Sequence, residues 1–64
     1  MTKAYKDARR IYYGVADVVA VGGTEVYRKQ VRDSLYKLVK RRVGKTVLTR
    51  TVDKTMYVYL WKKK

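Results

Sequence analysis

The sequence contains no cysteine, no histidine, no proline and no phenylalanine, and only five of its 64 residues are acidic. Without cysteine, neither a disulfide bond nor a thiolate-bound zinc ion can supplement the core. Without histidine, imidazole acid–base catalysis is unavailable, and five scattered carboxylates make a poor active site. These absences argue against an enzyme, and we expect neither a metal nor a cofactor.

The chain also lacks a long hydrophobic run. Its longest apolar stretch, 18–21, is far shorter than the about 20 residues that cross a bilayer, and no signal-peptide pattern opens the sequence. We therefore expect an intracellular, cytoplasmic protein with no membrane partner. Asparagine is absent and glutamine occurs once, whereas valine, tyrosine, lysine and arginine are abundant. This balance is typical of proteins from thermophiles.

Positive charge is the strongest feature that the sequence does have. Seventeen lysines and arginines against five acidic residues give a formal net charge of +12. Such a charge density attracts polyanions, of which the phosphate backbone of nucleic acid is the commonest. An anionic membrane surface, an acidic protein partner and simple solubility are the alternatives. We expect a nucleic-acid partner and, with it, a nucleoid-associated location.

Glycines divide the chain into three segments, at Gly14, at Gly22-Gly23 and at Gly44. No linker or repeat is visible, so residues 1–64 are predicted to form one domain, helical over 3–42 and a β-hairpin over 45–62. The first segment has the periodicity of an amphipathic helix. Gly14 either lies within that helix or divides it into two short helices, and we favour the division. The apolar stripe consists of Tyr5, Ala8, Ile11, Tyr12, Val15, Val18 and Val19.

A second helix is predicted to begin at Thr24, whose hydroxyl is suited to cap the first turn, with Glu25 near the positive end of the helix dipole. Its apolar positions recur every three or four residues and indicate a face turned towards a core. That stripe consists of Tyr27, Val31, Leu35, Leu38 and Val39, and the opposite face holds Lys29, Arg32, Asp33, Tyr36 and Lys40, with Arg28 at its edge.

After Gly44 the pattern becomes that of a β-hairpin, because two runs rich in β-branched and aromatic residues meet at Asp53-Lys54. A two-residue loop would place Val47, Thr49, Thr51, Met56, Val58 and Leu60 on one face. The other face would then hold Thr46, Leu48, Arg50, Val52, Tyr57, Tyr59 and Trp61. Both faces contain apolar groups, so the sequence leaves open which of them covers the helices.

The stretch ADVVAVGGTEVYRKQVRDSLYKLVKRRVGKTVLTRTVDKTMYVYLW, roughly residues 16–61, resembles a winged helix-turn-helix domain. In that family a second helix, a turn and a recognition helix are followed by a hairpin called the wing. The segment SLYKLVKRR is the closest local match. The resemblance implies a small α+β fold and binding of double-stranded DNA, with helix 24–42 in the major groove. Many operators are two-fold symmetric, and we expect a homodimeric transcriptional regulator.

The candidate DNA-binding residues are those that this arrangement would turn towards the duplex. They are Arg28, Lys29, Arg32, Tyr36, Lys40, Arg50 and Lys54. Arginine suits the bidentate recognition of guanine, whereas lysine more often contacts phosphate. Lys45 and the Lys62-Lys63-Lys64 tail are further candidates for phosphate contacts. Asp33 is unfavourable at the centre of such a face, because it repels phosphate unless it pairs with another side chain.

Two other functions remain open on the sequence alone. An RNA-binding or ribosomal protein would use Tyr57, Tyr59 and Trp61, which alternate along one strand, to stack unpaired bases. We favour packing in the core or between two subunits for these aromatic side chains, since the chain has no phenylalanine. The other possibility is a small protein-interaction module or inhibitor that meets an acidic surface.

Overall fold

A computed structural model describes residues 2–41 and 44–62. Within these residues the fold is α+β, as predicted, with two helices and a three-stranded antiparallel sheet where the sequence predicted two or three helices and a two-stranded hairpin. The strands lie in the order β1-β3-β2, so the last strand is central. The elements in chain order are α1 (Lys3–Tyr13), β1 (Val18–Val21), α2 (Glu25–Arg41), β2 (Lys45–Val52) and β3 (Thr55–Lys62).

Helix α1 begins at a capping threonine and ends at the predicted glycine. The Thr2 hydroxyl accepts a hydrogen bond from the backbone N–H of Tyr5 at 3.2 Å. At the other end, the N–H of Gly14 donates to the carbonyl of Ile11, and the chain then becomes extended. The prediction that the helix stops at Gly14 is therefore confirmed. The residues that α1 buries are Ala4, Ala8 and Tyr12.

The prediction of a second helix after Gly14, and of helical structure throughout 3–42, is wrong. Residues Val18–Val21 form β1, which pairs antiparallel with β3 from Val18 opposite Tyr59 to Val21 opposite Met56. Three of its four residues are valine, whose branched side chain favours a strand. The valine spacing was compatible with a helix, but pairing with the central strand decides the structure.

Helix α2 follows the prediction closely. Thr24 caps it, since its hydroxyl accepts a hydrogen bond from the N–H of Tyr27 at 3.1 Å. Val31, Leu35 and Leu38 are buried along one side, as the stripe indicated. Gly23 precedes the cap with φ of +95°, which lies in the region that favours glycine, and an added Cβ there would come within 3.0 Å of the Tyr27 ring. Arg42, the predicted end of this helix, lies outside the described residues.

The hairpin turn has two residues, which is the length assumed when its residues were assigned to two faces. Val52 pairs with Thr55, and both intervening residues have positive φ, 49° at Asp53 and 62° at Lys54. Positive φ at both central positions defines a type I′ turn, whose twist matches that of the flanking strands. The turn fixes the register, and with it the two faces that the sequence had grouped.

The helices cover the face that carries Val47, Met56, Val58 and Leu60, which are buried with the helix residues in one core. Tyr57, Tyr59 and Trp61 alternate with that set and lie on the other face. The expectation that these aromatics pack in the core is therefore wrong, and Trp61 remains 50% exposed. Strand β1 adds Val19, opposite Val58, and Val21, opposite Met56, to this inner face.

Two polar contacts tie the elements together. The Lys45 ammonium donates hydrogen bonds of 2.7 Å to the carbonyls of Tyr12 and Gly14, at the C-terminus of α1. The Tyr27 hydroxyl donates to the carboxylate of Asp7, which also pairs with Arg10. That hydrogen bond, with burial and the negative charge of Asp7, raises the pKa of Tyr27 above its usual value. Neither helix, within the described residues, is long and apolar enough to cross a membrane.

Candidate nucleic-acid interface

An open cleft of about 630 Å³ separates the N-terminal half of α2 from the tip of the β2–β3 hairpin. Residues four apart on a helix lie on the same side, so Arg28 and Arg32 both face the hairpin. Thr49 and Thr51 face them from β2, because alternate residues of a strand share one face. We call this site the cationic cleft; it is lined by Glu25, Arg28, Lys29, Arg32, Thr49, Thr51, Lys54 and Met56.

The charge of the cationic cleft is uneven. Four cationic side chains and one carboxylate line it, which gives a net charge of +3 (four minus one). Three of the cations come from two successive turns of α2, and the fourth, Lys54, comes from the hairpin turn. The single carboxylate, Glu25, lies in the first turn of α2, where the helix dipole favours a negative charge. A groove with an excess of positive charge attracts an anionic ligand.

The two arginines are only partly engaged within the protein. The Nε of Arg28 donates a long hydrogen bond of 3.4 Å to the carbonyl of Thr24. The buried Nε of Arg32 finds no hydrogen-bond acceptor among the described residues and lies 3.6 Å from the carboxylate of Asp33. Each guanidinium carries five N–H groups, so most of its donors remain for a ligand. The Arg32 side chain is 42% exposed, which keeps it accessible.

Asp33 is an ion-pair partner of Arg32, the residue before it. Its side chain is 53% exposed on the outward side of α2. Pairing with a neighbouring arginine offsets the repulsion that an isolated carboxylate would exert on phosphate.

Tyr36 links α2 to the hairpin. Its hydroxyl lies 3.4 Å from the hydroxyl of Thr49, and the tyrosine is 41% exposed. The contact joins α2 to Thr49, one of the residues that line the cationic cleft. Tyr36 thus borders the site as well as presenting part of its ring to solvent.

The structure brings together four of the seven candidate residues. Arg28, Lys29, Arg32 and Lys54 share the cationic cleft. Lys40 is exposed on α2 but lies eight residues beyond Arg32, about 12 Å along the helix axis. Arg50 is exposed on the opposite side of the sheet, because it alternates with Thr49 and Thr51.

Sequence reasoning did not name Thr49 and Thr51 as site residues, although they form the wall of the cleft that faces α2. The available signal was their spacing of two and four residues from Val47, which places small polar groups on the same inner face, towards the hairpin turn. Lys45, considered for phosphate contact, instead binds the end of α1. Lys63 and Lys64 of the basic tail lie outside the described residues.

No protein-family model, no curated protein and no solved structure matches the chain. The functional argument therefore rests on the geometry and charge of the protein's own surfaces. The resemblance to winged helix-turn-helix domains stays a prediction.

Proposed function

We propose that the protein binds double-stranded DNA, with α2 in the major groove and the β2–β3 hairpin against the adjacent backbone. The observation that carries the proposal is the convergence of Arg28, Lys29 and Arg32 on α2 with Lys54 at the hairpin tip. Helix and hairpin thus present positive charge on one side of the molecule. In a winged-helix domain the recognition helix and the wing likewise face the DNA together.

The dimensions of α2 suit this role. A helix of 17 residues is about 26 Å long, and a helix fits the major groove, which is about 12 Å wide. Arg28 and Arg32 lie one turn apart, so they reach successive base pairs or a base edge and its flanking phosphate. A bidentate arginine–guanine contact provides about 1–3 kcal/mol of discrimination against other bases. Lys29, Lys40 and Lys54 would contact phosphates.

The proposal keeps the recognition helix and the wing of the winged helix-turn-helix pattern. It does not keep the helix that precedes the turn in that family. The segment before Gly22 forms β1, so α2 is supported by α1 and by the sheet instead of by a short helix across a turn. The β1-β3-β2 strand order and the position of the hairpin directly after α2 favour a wing. Arg50, on the far side of the sheet, is left out of the duplex contact.

Phosphate contacts make the affinity dependent on salt, and their number sets the slope. If both arginines contact phosphate on random-sequence DNA, the four cations of the cationic cleft and Lys40 would give log affinity against log salt concentration a slope of about −4.5, at about −0.9 for each contact. A transcriptional regulator would also bind a preferred site at least about 10³-fold more tightly than random DNA. A sequence-neutral architectural protein would show the same slope without that preference.

Two protomers bound to a palindromic site would place their α2 helices about 34 Å apart, one turn of the duplex. A homodimer of this kind stays part of the proposal. Sedimentation of the protein with and without a selected palindromic duplex measures how many protomers bind each duplex. One protomer on each duplex would refute the homodimer but not DNA binding through the cationic cleft.

The proposal is tested by fluorescence anisotropy of a labelled random-sequence duplex at several salt concentrations. The double variant Arg28→Ala, Arg32→Ala should bind more weakly, with a slope less steep by about 1.8 if both arginines contact phosphate. The charge-matched control is Lys3→Ala, Lys6→Ala, which removes two exposed lysines from α1. Equal losses in both double variants would mean that net charge alone causes binding, and the proposal would fail.

A further inference from the structure

The sheet has a second surface on the side away from the helices, which we call the outer face. Direct cross-strand neighbours place Tyr59 between Val18 and Leu48, and Tyr57 between Ala20 and Arg50. Trp61 lies beside Thr46. The outer face therefore comprises Val18, Ala20, Thr46, Leu48, Arg50, Val52, Thr55, Tyr57, Tyr59 and Trp61.

Large apolar side chains of the outer face are open to solvent. Trp61 is 50% exposed, Leu48 53% and Val18 51%. No described element of the chain covers them, since both helices pack on the inner face. Exposed aromatic and aliphatic groups gathered on one surface mark an interaction site more often than isolated apolar residues do.

Two rings on the outer face form a stacked pair. Tyr59 and Trp61 are two residues apart on β3, with ring centroids separated by 6.2 Å and ring planes only 16° apart. An unpaired base can extend such a stack of aromatic rings. Base–aromatic stacking does not depend on which base is present, because every base has a π-face.

The charge of the outer face suits a polyanion. Arg50 lies beside Tyr57, and none of the ten outer-face residues is acidic. A guanidinium beside an aromatic row combines phosphate binding with stacking, the two interactions that hold single strands on sheet surfaces. The net charge of +12 adds long-range attraction for the same ligand.

A second copy of the chain fits the outer face less well. At about 4.8 Å between strands and about 3.4 Å per residue, the two eight-residue strands and the four-residue β1 cover roughly 320 Å² in projection. This is a small area beside the roughly 800 Å² of accessible surface that each partner buries in a standard protein interface. Two copies would also bring two chains of charge +12 together, and an identical outer face offers Arg50 no carboxylate. Both area and charge favour a thin, anionic, base-bearing ligand.

We propose that the outer face binds single-stranded nucleic acid, with unpaired bases stacked on Tyr59 and Trp61 and a phosphate held by Arg50. This site is independent of the duplex-binding proposal, because the cationic cleft lies on the other side of the sheet. A protein with both surfaces would hold duplex and single strand together, as at a junction or an opened duplex.

Trp61 is the only tryptophan of the chain, so its fluorescence reports directly on the outer face. The probes are a 12-nucleotide oligo(dT), an oligo(rU) of the same length, and an abasic deoxyribose-phosphate chain of the same charge. Stacking predicts quenching of Trp61 by both oligonucleotides, little quenching by the abasic chain, and at least about five-fold weaker binding of the abasic chain. Equal binding of all three without quenching would overturn the proposal.

Variants separate the two surfaces. Replacing Tyr59 with alanine should weaken binding of labelled oligo(dT) at least about five-fold, and Arg50→Ala should also weaken it. The matched control Tyr13→Ala, which removes an exposed tyrosine of α1, should not. Arg28→Ala, Arg32→Ala should weaken duplex binding far more than oligo(dT) binding. Thermal melts confirm that each variant folds. If Tyr59→Ala leaves oligo(dT) binding intact, or if it instead dissociates a dimer seen by sedimentation, the outer face does not bind bases.

Discussion

Lys45 is predicted to be a structural lysine rather than a DNA contact, and Lys45→Met tests this. The substitution keeps the alkyl stem but removes the ammonium that donates two 2.7 Å hydrogen bonds to the carbonyls of Tyr12 and Gly14. Those carbonyls lie at the end of α1, where the helix dipole favours a cation. The same ammonium lies 5.9 Å from the centre of the Tyr12 ring.

The magnitude follows from these contacts. A hydrogen bond to a charged group contributes about 1.5–3 kcal/mol. One ammonium binds both carbonyls, so the two hydrogen bonds do not contribute independently. The carbonyl of half-buried Gly14 binds water once the ammonium is removed, and we therefore expect the free energy of unfolding to fall by about 2 kcal/mol in total. A 64-residue domain has roughly 3–10 kcal/mol of stability at about 0.05–0.15 kcal/mol per residue. The Tm should therefore fall by about 8–16 °C, at about 4–8 °C per kcal/mol.

The assay is thermal and urea denaturation of Lys45→Met beside the control Lys40→Met, which alters an exposed lysine of α2. The control should change stability by no more than about 0.5 kcal/mol. For folded Lys45→Met, the salt slope of duplex binding should equal that of the wild type. A Tm equal to that of the control, or a slope less steep by about 0.9, would show that the Lys45 ammonium contacts DNA instead of α1.

Three further substitutions test the turn, the helix contact and the core. Lys54→Gly should raise the Tm, because glycine relieves about 1 kcal/mol of strain at a φ of 62°, while the duplex salt slope becomes less steep by about 0.9; an unchanged slope would remove Lys54 from the site. Tyr27→Phe should cost about 1 kcal/mol at neutral pH by removing the hydrogen bond to Asp7. Because the folded-state pKa of Tyr27 is raised, this tyrosine ionises at lower pH in the unfolded chain than in the folded protein. The contribution of its hydrogen bond to stability is therefore complete below about pH 10 and is lost as pH rises through the folded-state pKa. Urea titrations of the wild type and of Tyr27→Phe at pH 7 to 11 would refute this if the difference between their free energies of unfolding did not shrink. Leu35→Ala, at a fully buried position, should lose about 2–5 kcal/mol and leave the domain largely unfolded at 37 °C by circular dichroism; a small loss would mean that the core is placed wrongly.

The parts of the fold that local sequence determines were predictable. Helix α2 is marked by the Thr24 cap and by the stripe through Val31, Leu35 and Leu38, and all of these signals lie within one stretch of chain. The hairpin is likewise local, since Asp53-Lys54 accepts the positive φ values that a two-residue turn needs.

Strand β1 was not predictable in the same way, because the spacing of Val18 and Val19 also fits the apolar stripe of the preceding helix. Their structure is decided by pairing with Tyr59 and Val58, some 40 residues later. The same long-range pairing determines which side of the hairpin the helices cover, and so places the aromatic residues outside.

The candidate site was predictable to the same extent as the elements that carry it. The spacing of Arg28, Lys29 and Arg32 on a helix puts them on neighbouring faces, and this part of the site follows from sequence. Their convergence with Lys54, and the separation of Arg50 to the outer face, depend on how the hairpin lies against α2. That packing is tertiary, and no local pattern encodes it.

The most direct test of the duplex-binding proposal is to map the bound duplex on the protein by NMR. An amide ¹H–¹⁵N spectrum of the labelled chain would be recorded during titration with a short random-sequence duplex. We predict that the largest shifts fall on residues 25–36 of α2 and on residues 49–56 around the hairpin turn, with little change on α1. Shifts concentrated on α1, or on the outer face with the cationic cleft unaffected, would contradict the proposal.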